Sequence, residues 1–195
     1  RKFFLDRTWG GQPNSRYNAT EHTHAQFAAM ISRLDQYVGD VMRKLKEKGL
    51  EDNTLVIFTS DNGPHEEGGA DPTFFGRDGK LQGLKRQCLE GGIRVPFIAW
   101  WKGHIQAGTT NDHQLAFYDI MPTFAQLAGV KDVAKRYRNP RIKNDYFDGI
   151  SFLPTLLGKG EQPKHPFLYW EFHETNQIGV RMGDWKLVVR KGVPA

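Results

Sequence analysis

The chain has 195 residues, 38% of them apolar, and a formal net charge of +5. That length admits one domain, or one domain with a small appendage, and is enough to bury a core; that composition excludes a collagen-like or wholly disordered chain. A single cysteine, Cys88, excludes a disulfide framework within the chain, and no apolar run reaches the roughly 18 residues needed to span a membrane.

The basic excess either favours anionic partners (nucleic acid, anionic sugar or phosphate ester) or is only a solvated surface. The opening Arg1-Lys2-Phe3-Phe4-Leu5-Asp6 has neither an initiator Met nor the apolar stretch of a signal peptide, and reads as the start of a piece of a longer protein. Residues 6–19 are polar and rich in Gly, Asn and Arg, and are expected to form a loop. A helix should follow, capped by Thr20, because Phe27, Met30, Ile31, Leu34, Val38, Val41, Met42 and Leu45 recur at three- and four-residue steps. Lys44, Lys46 and Lys48 suit its carboxyl-terminal dipole, and Gly49 supplies a stop.

Thr54 to Ser60 is short, apolar and β-rich, the pattern of a strand buried on both faces as in a parallel sheet. It ends at the polar turn Asp61-Asn62-Gly63-Pro64. A second buried strand is expected over Val95–Trp100, and the long loop between the two is the kind that carries function. A helix over Asp112–Leu127 would turn Leu115, Ile120, Phe124 and Leu127 inward, with Pro122 kinking or restarting it. Residues 131–148 read as a surface connection and Ser151–Leu157 as a short helix ended by Gly158. The tail changes character: Phe167–Phe172, Ile178–Arg181 and Trp185–Val189 read as strands, the last two joined by a tight turn at Gly183-Asp184.

Asp61 and Asn62 close a buried strand, where α/β sheets bind ligands. A carboxylate and an amide oxygen side by side suit Ca²⁺ or Mg²⁺, although Ca²⁺ takes about six to eight oxygens. The competing reading is a plain Asp-Asn-Gly turn. Lys85, in Leu81-Gln82-Gly83-Leu84-Lys85-Arg86, is either an anion ligand or a solvated side chain. Glu90-Gly91-Gly92-Ile93-Arg94-Val95-Pro96 is architectural, its glycines permitting close backbone approach. His65, three residues after Asn62, either touches a ligand or is a polar loop residue. His173, ending Tyr169-Trp170-Glu171-Phe172-His173, either faces a substrate cleft or is satisfied at the strand end. His22 and His24 are expected at the surface. Neither a Gly-rich phosphate loop, a Cys-x-x-Cys pair nor a Gly-x-Ser-x-Gly elbow occurs.

In their order these segments resemble the carboxyl-terminal part of the sulfatase (arylsulfatase) family, over about residues 25–192. The likeness rests on Phe27-Ala28-Ala29-Met30-Ile31 with Leu34-Asp35, Asp52-Asn53-Thr54, Phe58-Thr59-Ser60-Asp61-Asn62-Gly63, Gly83 with Lys85, and Glu90 to Pro96. It continues through Asp148-Gly149-Ile150-Ser151-Phe152-Leu153-Pro154-Thr155-Leu156-Leu157 and Arg181-Met182-Gly183-Asp184-Trp185-Lys186. The resemblance implies an α/β fold: the carboxyl-terminal portion of an alkaline-phosphatase-like mixed sheet flanked by helices (residues 1–145), plus a small antiparallel α+β subdomain (146–195). It implies sulfate-ester hydrolysis with a formylglycine nucleophile and a divalent cation, Ca²⁺ or Mg²⁺. Asp61 and Asn62 match the family's second pair of metal ligands, and Lys85 the lysine that contacts sulfate and the leaving oxygen.

The chain lacks the Cys/Ser-x-Pro-x-Arg motif from which formylglycine is made; Cys88, in Gln87-Cys88-Leu89-Glu90, does not fit it. The first aspartate pair and the lysine and histidine after the nucleophile are also missing. His22-Thr23-His24 is superficially similar to a further family histidine segment but abuts the long helix directly. These parts belong upstream in the family, so the expectation is that this stretch alone is inactive, needs the amino-terminal part of the same protein, and exposes apolar surface where that part would pack. The expected substrates are sulfated carbohydrates or aryl sulfates, with His65 and His173 as substrate contacts; nucleic acid is not an expected partner, and the whole protein is expected to be periplasmic or secreted. The rivals are a phosphodiesterase or phosphonate monoester hydrolase of the same superfamily, and a non-catalytic binding module for anionic glycans.

Overall fold

The computed structural model describes residues 8–11, 20–77, 79–130, 132, 133, 136, 139, 141, 147–190 and 193–194. The expected loop over 6–19 and connection over 131–148 therefore lie mostly outside the described residues. Helix α1 spans Thr23–Glu47. It starts later than Thr20 would place it, because Thr20 is in an antiparallel bridge with Trp9 and its hydroxyl accepts from His22 N–H at 3.3 Å. His22 is the N-cap, with no side-chain cap bond. At the other end Gly49 adopts φ +64, and Leu50 N–H donates to the Leu45 carbonyl at 2.9 Å, which satisfies the last turn. The apolar stripe of α1 is largely in solvent: Met30, Ile31, Leu34, Tyr37 and Val41 are all exposed.

Strands β1 (Val56–Thr59) and β2 (Phe97–Trp100) pair antiparallel, Val56 opposite Trp100 and Thr59 opposite Phe97. The expected mixed sheet admits such a pair, although the pattern of Thr54–Ser60 alone suggested a parallel neighbour. Among the described residues β1 has only β2 beside it, and each of its positions is half-buried. A continuous apolar run thus marks hydrophobic strand, but pairing direction is fixed by the connection between strands. The short helix α2 (Glu90–Ile93) leads into β2.

A 3₁₀ turn, Phe117–Asp119, precedes α3 (Ile120–Leu127). The helix is shorter than expected, and Pro122 sits in its first turn, where the missing N–H costs nothing. The buried face is about one residue out of the expected phase: Ala116, Asp119, Pro122 and Thr123 are inside, while Phe124 is exposed. Asp119 fixes that phase. Its carboxylate accepts from Ala116 N–H and Ile150 N–H, each at 2.8 Å, and lies 2.8 Å from His165 Nε2. Thr123 adds a bond from Phe152 N–H at 3.0 Å. Phe152, fully buried, meets the Phe97 ring edge-on and contributes about 2–3 kcal/mol by burial.

Helix α4 (Leu153–Leu157) ends as expected at Gly158, φ +61. The tail is an antiparallel sheet in chain order: β3 (Leu168–Phe172), β4 (Gln177–Met182), β5 (Trp185–Arg190) and β6 (Val193–Pro194). Met182 pairs with Trp185 across the expected Gly183-Asp184 turn, and Gly183 takes the positive φ such a turn needs. On β4, Gln177 and Gly179 are buried while Ile178 and Met182 are exposed, so the sheet turns one face to the loop before α2 and the other to solvent.

Candidate active site

The polar turn after β1 is built on glycine. Gly63 N–H donates to the Gly92 carbonyl at 2.9 Å, and a Cβ on Gly63 would lie 1.7 Å from the Gly91 carbonyl oxygen. No side chain fits there. The turn is therefore stitched to the start of α2, and Asp61 and Asn62 are held at the strand end. Asp61 is exposed and makes no side-chain hydrogen bond or ion pair among the described residues. Asn62 donates through Nδ2 to the Gly63 carbonyl at 2.8 Å, which leaves Oδ1 available as a ligand.

Lys85 comes to the same place through its backbone: its N–H donates to the Pro64 carbonyl at 2.8 Å. Asp61, Asn62 and Lys85 all line one cleft of about 370 Å³, with Arg86 beside them and Trp170, Glu171, Phe172 and Glu174 from the end of β3. A cleft of that size suits a small ligand or one end of a larger one. The three residues singled out from the sequence are thus brought together. His65 and His173 do not line this cleft.

His65 is tied into the turn. Its Nδ1 accepts the Glu67 N–H at 3.1 Å, which puts the proton of the neutral ring on Nε2. Its pKa is lowered, chiefly by burial, against the opposing pull of Glu67. His173 opens a 3₁₀ turn and is exposed. His24, expected at the surface, is buried and stacks on Phe74 with ring centroids 3.6 Å apart; its position at the start of α1, facing the Phe74-Phe75 turn, overrides the polar sequence around it.

Sequence reasoning missed the pairing of Glu67 with Lys85. The Glu67 carboxylate takes the Lys85 ammonium at 2.9 Å and is also ion-paired to Arg86. Lys85 and Glu67 side chains are 29% and 22% exposed, so the lysine is reachable from solvent while already holding an anion. Eighteen residues separate the partners, and nothing local announces the pair.

As to a metal, Asp61 and Asn62 offer two hard oxygens that their surroundings leave unspent, which fits part of a Ca²⁺ or Mg²⁺ shell. Among the described residues no group of three or more His, Cys, Asp or Glu side chains is placed to hold a metal ion, and a Ca²⁺ shell of about six to eight oxygens would need more ligands than Asp61 and Asn62 supply.

The sulfatase family model matches residues 4–130. Arylsulfatase A of Bos taurus is 33% identical over 205 residues, covering 95% of this chain and 38% of that protein. N-acetylgalactosamine-6-sulfatase of Mus musculus is 34% identical, covering 93% and 32%. Among solved structures, the PsFucS1 sulfatase from Pseudoalteromonas sp. is 34% identical with TM-score 0.61, covering 80% of this chain and 28% of that one. Ps i-CgsB is 31% identical with TM-score 0.66, covering 83% and 33%; its complex with k-i-k-neocarrahexaose also matches, at 29% identity and TM-score 0.62, covering 83% and 33%. The fold is that of a sulfatase fragment, α/β with a small antiparallel sheet, and the chain belongs to the sulfatase family. It spans about a third of the length of these relatives.

Proposed function

We propose that this chain is the carboxyl-terminal part of an enzyme that hydrolyses sulfate esters, with residues 1–145 completing its catalytic domain and 146–195 forming a subdomain packed against it. The observation that carries the reading is the bond from Lys85 N–H to the Pro64 carbonyl. It ties the cation to the turn that presents Asp61 and Asn62, and all three line one cleft. Sulfate-ester cleavage develops negative charge on the leaving oxygen. A fixed ammonium at that oxygen stabilises the transition state more than the ground state.

Asp61 Oδ and Asn62 Oδ1 would hold the divalent cation, Ca²⁺ or in its place Mg²⁺. When bound, that cation supplies Lewis-acid polarisation of the sulfate oxygens. The nucleophile would be a formylglycine in the part of the protein upstream of Arg1. Lys85 binds and orients the sulfate, exchanging its Glu67 partner for a sulfate oxygen, and Glu67 keeps the ammonium at the cleft when no substrate is present. The Glu67 pairing supports the reading, since it shows an anion seated on this ammonium at 2.9 Å.

A sulfated carbohydrate is the favoured substrate, with an aryl sulfate as the simple surrogate. The names of N-acetylgalactosamine-6-sulfatase and arylsulfatase A point to those classes, as does the oligosaccharide bound by Ps i-CgsB. Trp170 and Phe172 at the cleft supply the aromatic surface that sugar rings pack on. A periplasmic or secreted location for the whole protein goes with this reading.

Paired hydrolysis assays of an aryl sulfate and an aryl phosphate diester by the full-length protein test the proposal. Preference for the sulfate is expected. Preference for the diester would reassign the enzyme to phosphoryl transfer, and metal-independent glycan binding without turnover of either would make it a binding module.

A further inference from the structure

The antiparallel tail sheet grips the loop that carries Lys85 at every second residue. Gln177 is 2% exposed. Its Oε1 accepts from Cys88 N–H at 3.3 Å, and its Nε2 donates to the Arg86 carbonyl at 3.2 Å and to Thr175 Oγ1 at 2.6 Å. Two residues along β4, Gly179 packs on Cys88, where a Cβ would come within 2.9 Å of the Cys88 Cβ. Two further along, Arg181 Nη1 meets Glu90 Oε2 at 2.7 Å, and Lys186, opposite Arg181 in register, sits 3.2 Å from Glu90 Oε1. Residues 86, 88 and 90 thus run against 177, 179 and 181.

The first of these contacts falls on a backbone that needs holding. Arg86 has φ +71, a left-handed conformation that a non-glycine residue adopts only when its surroundings impose it. Arg86 follows Lys85 directly, so a change in its backbone swings the lysine. The Pro64 carbonyl pins the Lys85 N–H on one side, and the Gln177 amide pins the Arg86 carbonyl and the Cys88 N–H on the other. A buried amide with three bonds is costly to disturb, which makes it a rigid stop.

We propose that Gln177 is a positioning residue: its buried amide, bonded to the Arg86 carbonyl and the Cys88 N–H, fixes the backbone that presents Lys85 to the cleft. This rests on the reading of Lys85 as the sulfate ligand. It makes the tail sheet part of the active site through a residue that touches no substrate.

The test uses the full-length protein with Gln177→Met, which keeps side-chain volume and removes all three bonds, alone and combined with Lys85→Ala. Expected is a fall in kcat of about 10- to 100-fold with KM little changed, the size that small misplacement of a catalytic group produces. In the Lys85→Ala background the same substitution should change kcat by less than about 2-fold, since the two act as one unit. Equal losses in both backgrounds would overturn the proposal and leave Gln177 a merely structural residue. Cys88, 2% exposed, gives a second readout independent of turnover. Its labelling by a thiol reagent in the native protein should quicken by about 10-fold or more in Gln177→Met as the loop opens. Unchanged labelling overturns the positioning claim even if Lys85 is catalytic. If Lys85→Ala leaves turnover intact while labelling quickens, the sulfatase role of Lys85 fails and takes the catalytic part of the claim with it, while the loop restraint stands.

Discussion

Asp61 and Asp119 carry the same carboxylate into opposite circumstances. Asp119 is 1% exposed and accepts two backbone N–H groups and a contact from His165. Asp61 is exposed at the end of β1 with no side-chain partner among the described residues. The bonds of Asp119 are spent on joining the turn before α3 to the segment before α4. Those of Asp61 are unspent, on a turn rigidly stitched by Gly63. An acidic side chain whose hydrogen bonds are complete holds the fold, and one kept bare on a rigid support is free for a ligand. The difference lies in which backbone N–H groups surround the carboxylate.

Substitutions sharpen the contrast. The largest effect is expected at the support itself. Gly63→Ala drives a Cβ onto the Gly91 carbonyl and should cost about 4 kcal/mol or more in urea unfolding, the range of exceptional point mutants. Next, Asp119→Ala leaves buried N–H groups and His165 without their acceptor and should cost about 3 kcal/mol. Turnover per folded molecule should be unchanged, which separates architecture from chemistry. Asp61→Asn reverses that pattern: stability within about 0.5 kcal/mol of the parent, but Ca²⁺ affinity of the full-length protein lower by about 10-fold or more in calorimetry, because the site loses a negative ligand. If Asp61→Asn unfolds the protein and spares Ca²⁺ binding, the contrast is broken.

The smallest effect is a pH dependence near the Asp119 region. Tyr118 has its pKa raised from 10.0 to about 12, first by burial and then by the nearby charges of Asp119 and Asp148. The folded protein keeps the phenol proton where the unfolded chain has lost it. The contribution of Tyr118 to stability is therefore complete below pH 10 and is lost as the pH climbs from 10 toward 12. Tyr118→Phe should flatten that part of the stability profile, measured by thermal unfolding against pH.

The elements with local causes were legible in the sequence. The period of α1, the Gly158 stop after α4 and the Gly183 turn between β4 and β5 each depend on residues within a turn or two. So was the convergence of Asp61, Asn62 and Lys85, carried by the family pattern rather than by spacing. What stayed hidden depends on distant partners. The antiparallel pairing of β1 with β2 is set by a connection of almost forty residues. The buried face of α3 follows Asp119, whose acceptor role needs Ile150 and His165. Glu67 on Lys85 and Gln177 on the Arg86 carbonyl join residues 18 and 91 apart, and His24 is buried by a phenylalanine fifty positions on.

A crystal structure of the full-length protein with Ca²⁺ and a sulfate ester bound would decide the role of the cleft. Lys85 Nζ should have left Glu67 and lie about 2.8 Å from a sulfate oxygen, the usual reach of a charge-assisted bond, with Asp61 and Asn62 on the cation beside it. A sulfate bound elsewhere, with Lys85 still on Glu67, would contradict it.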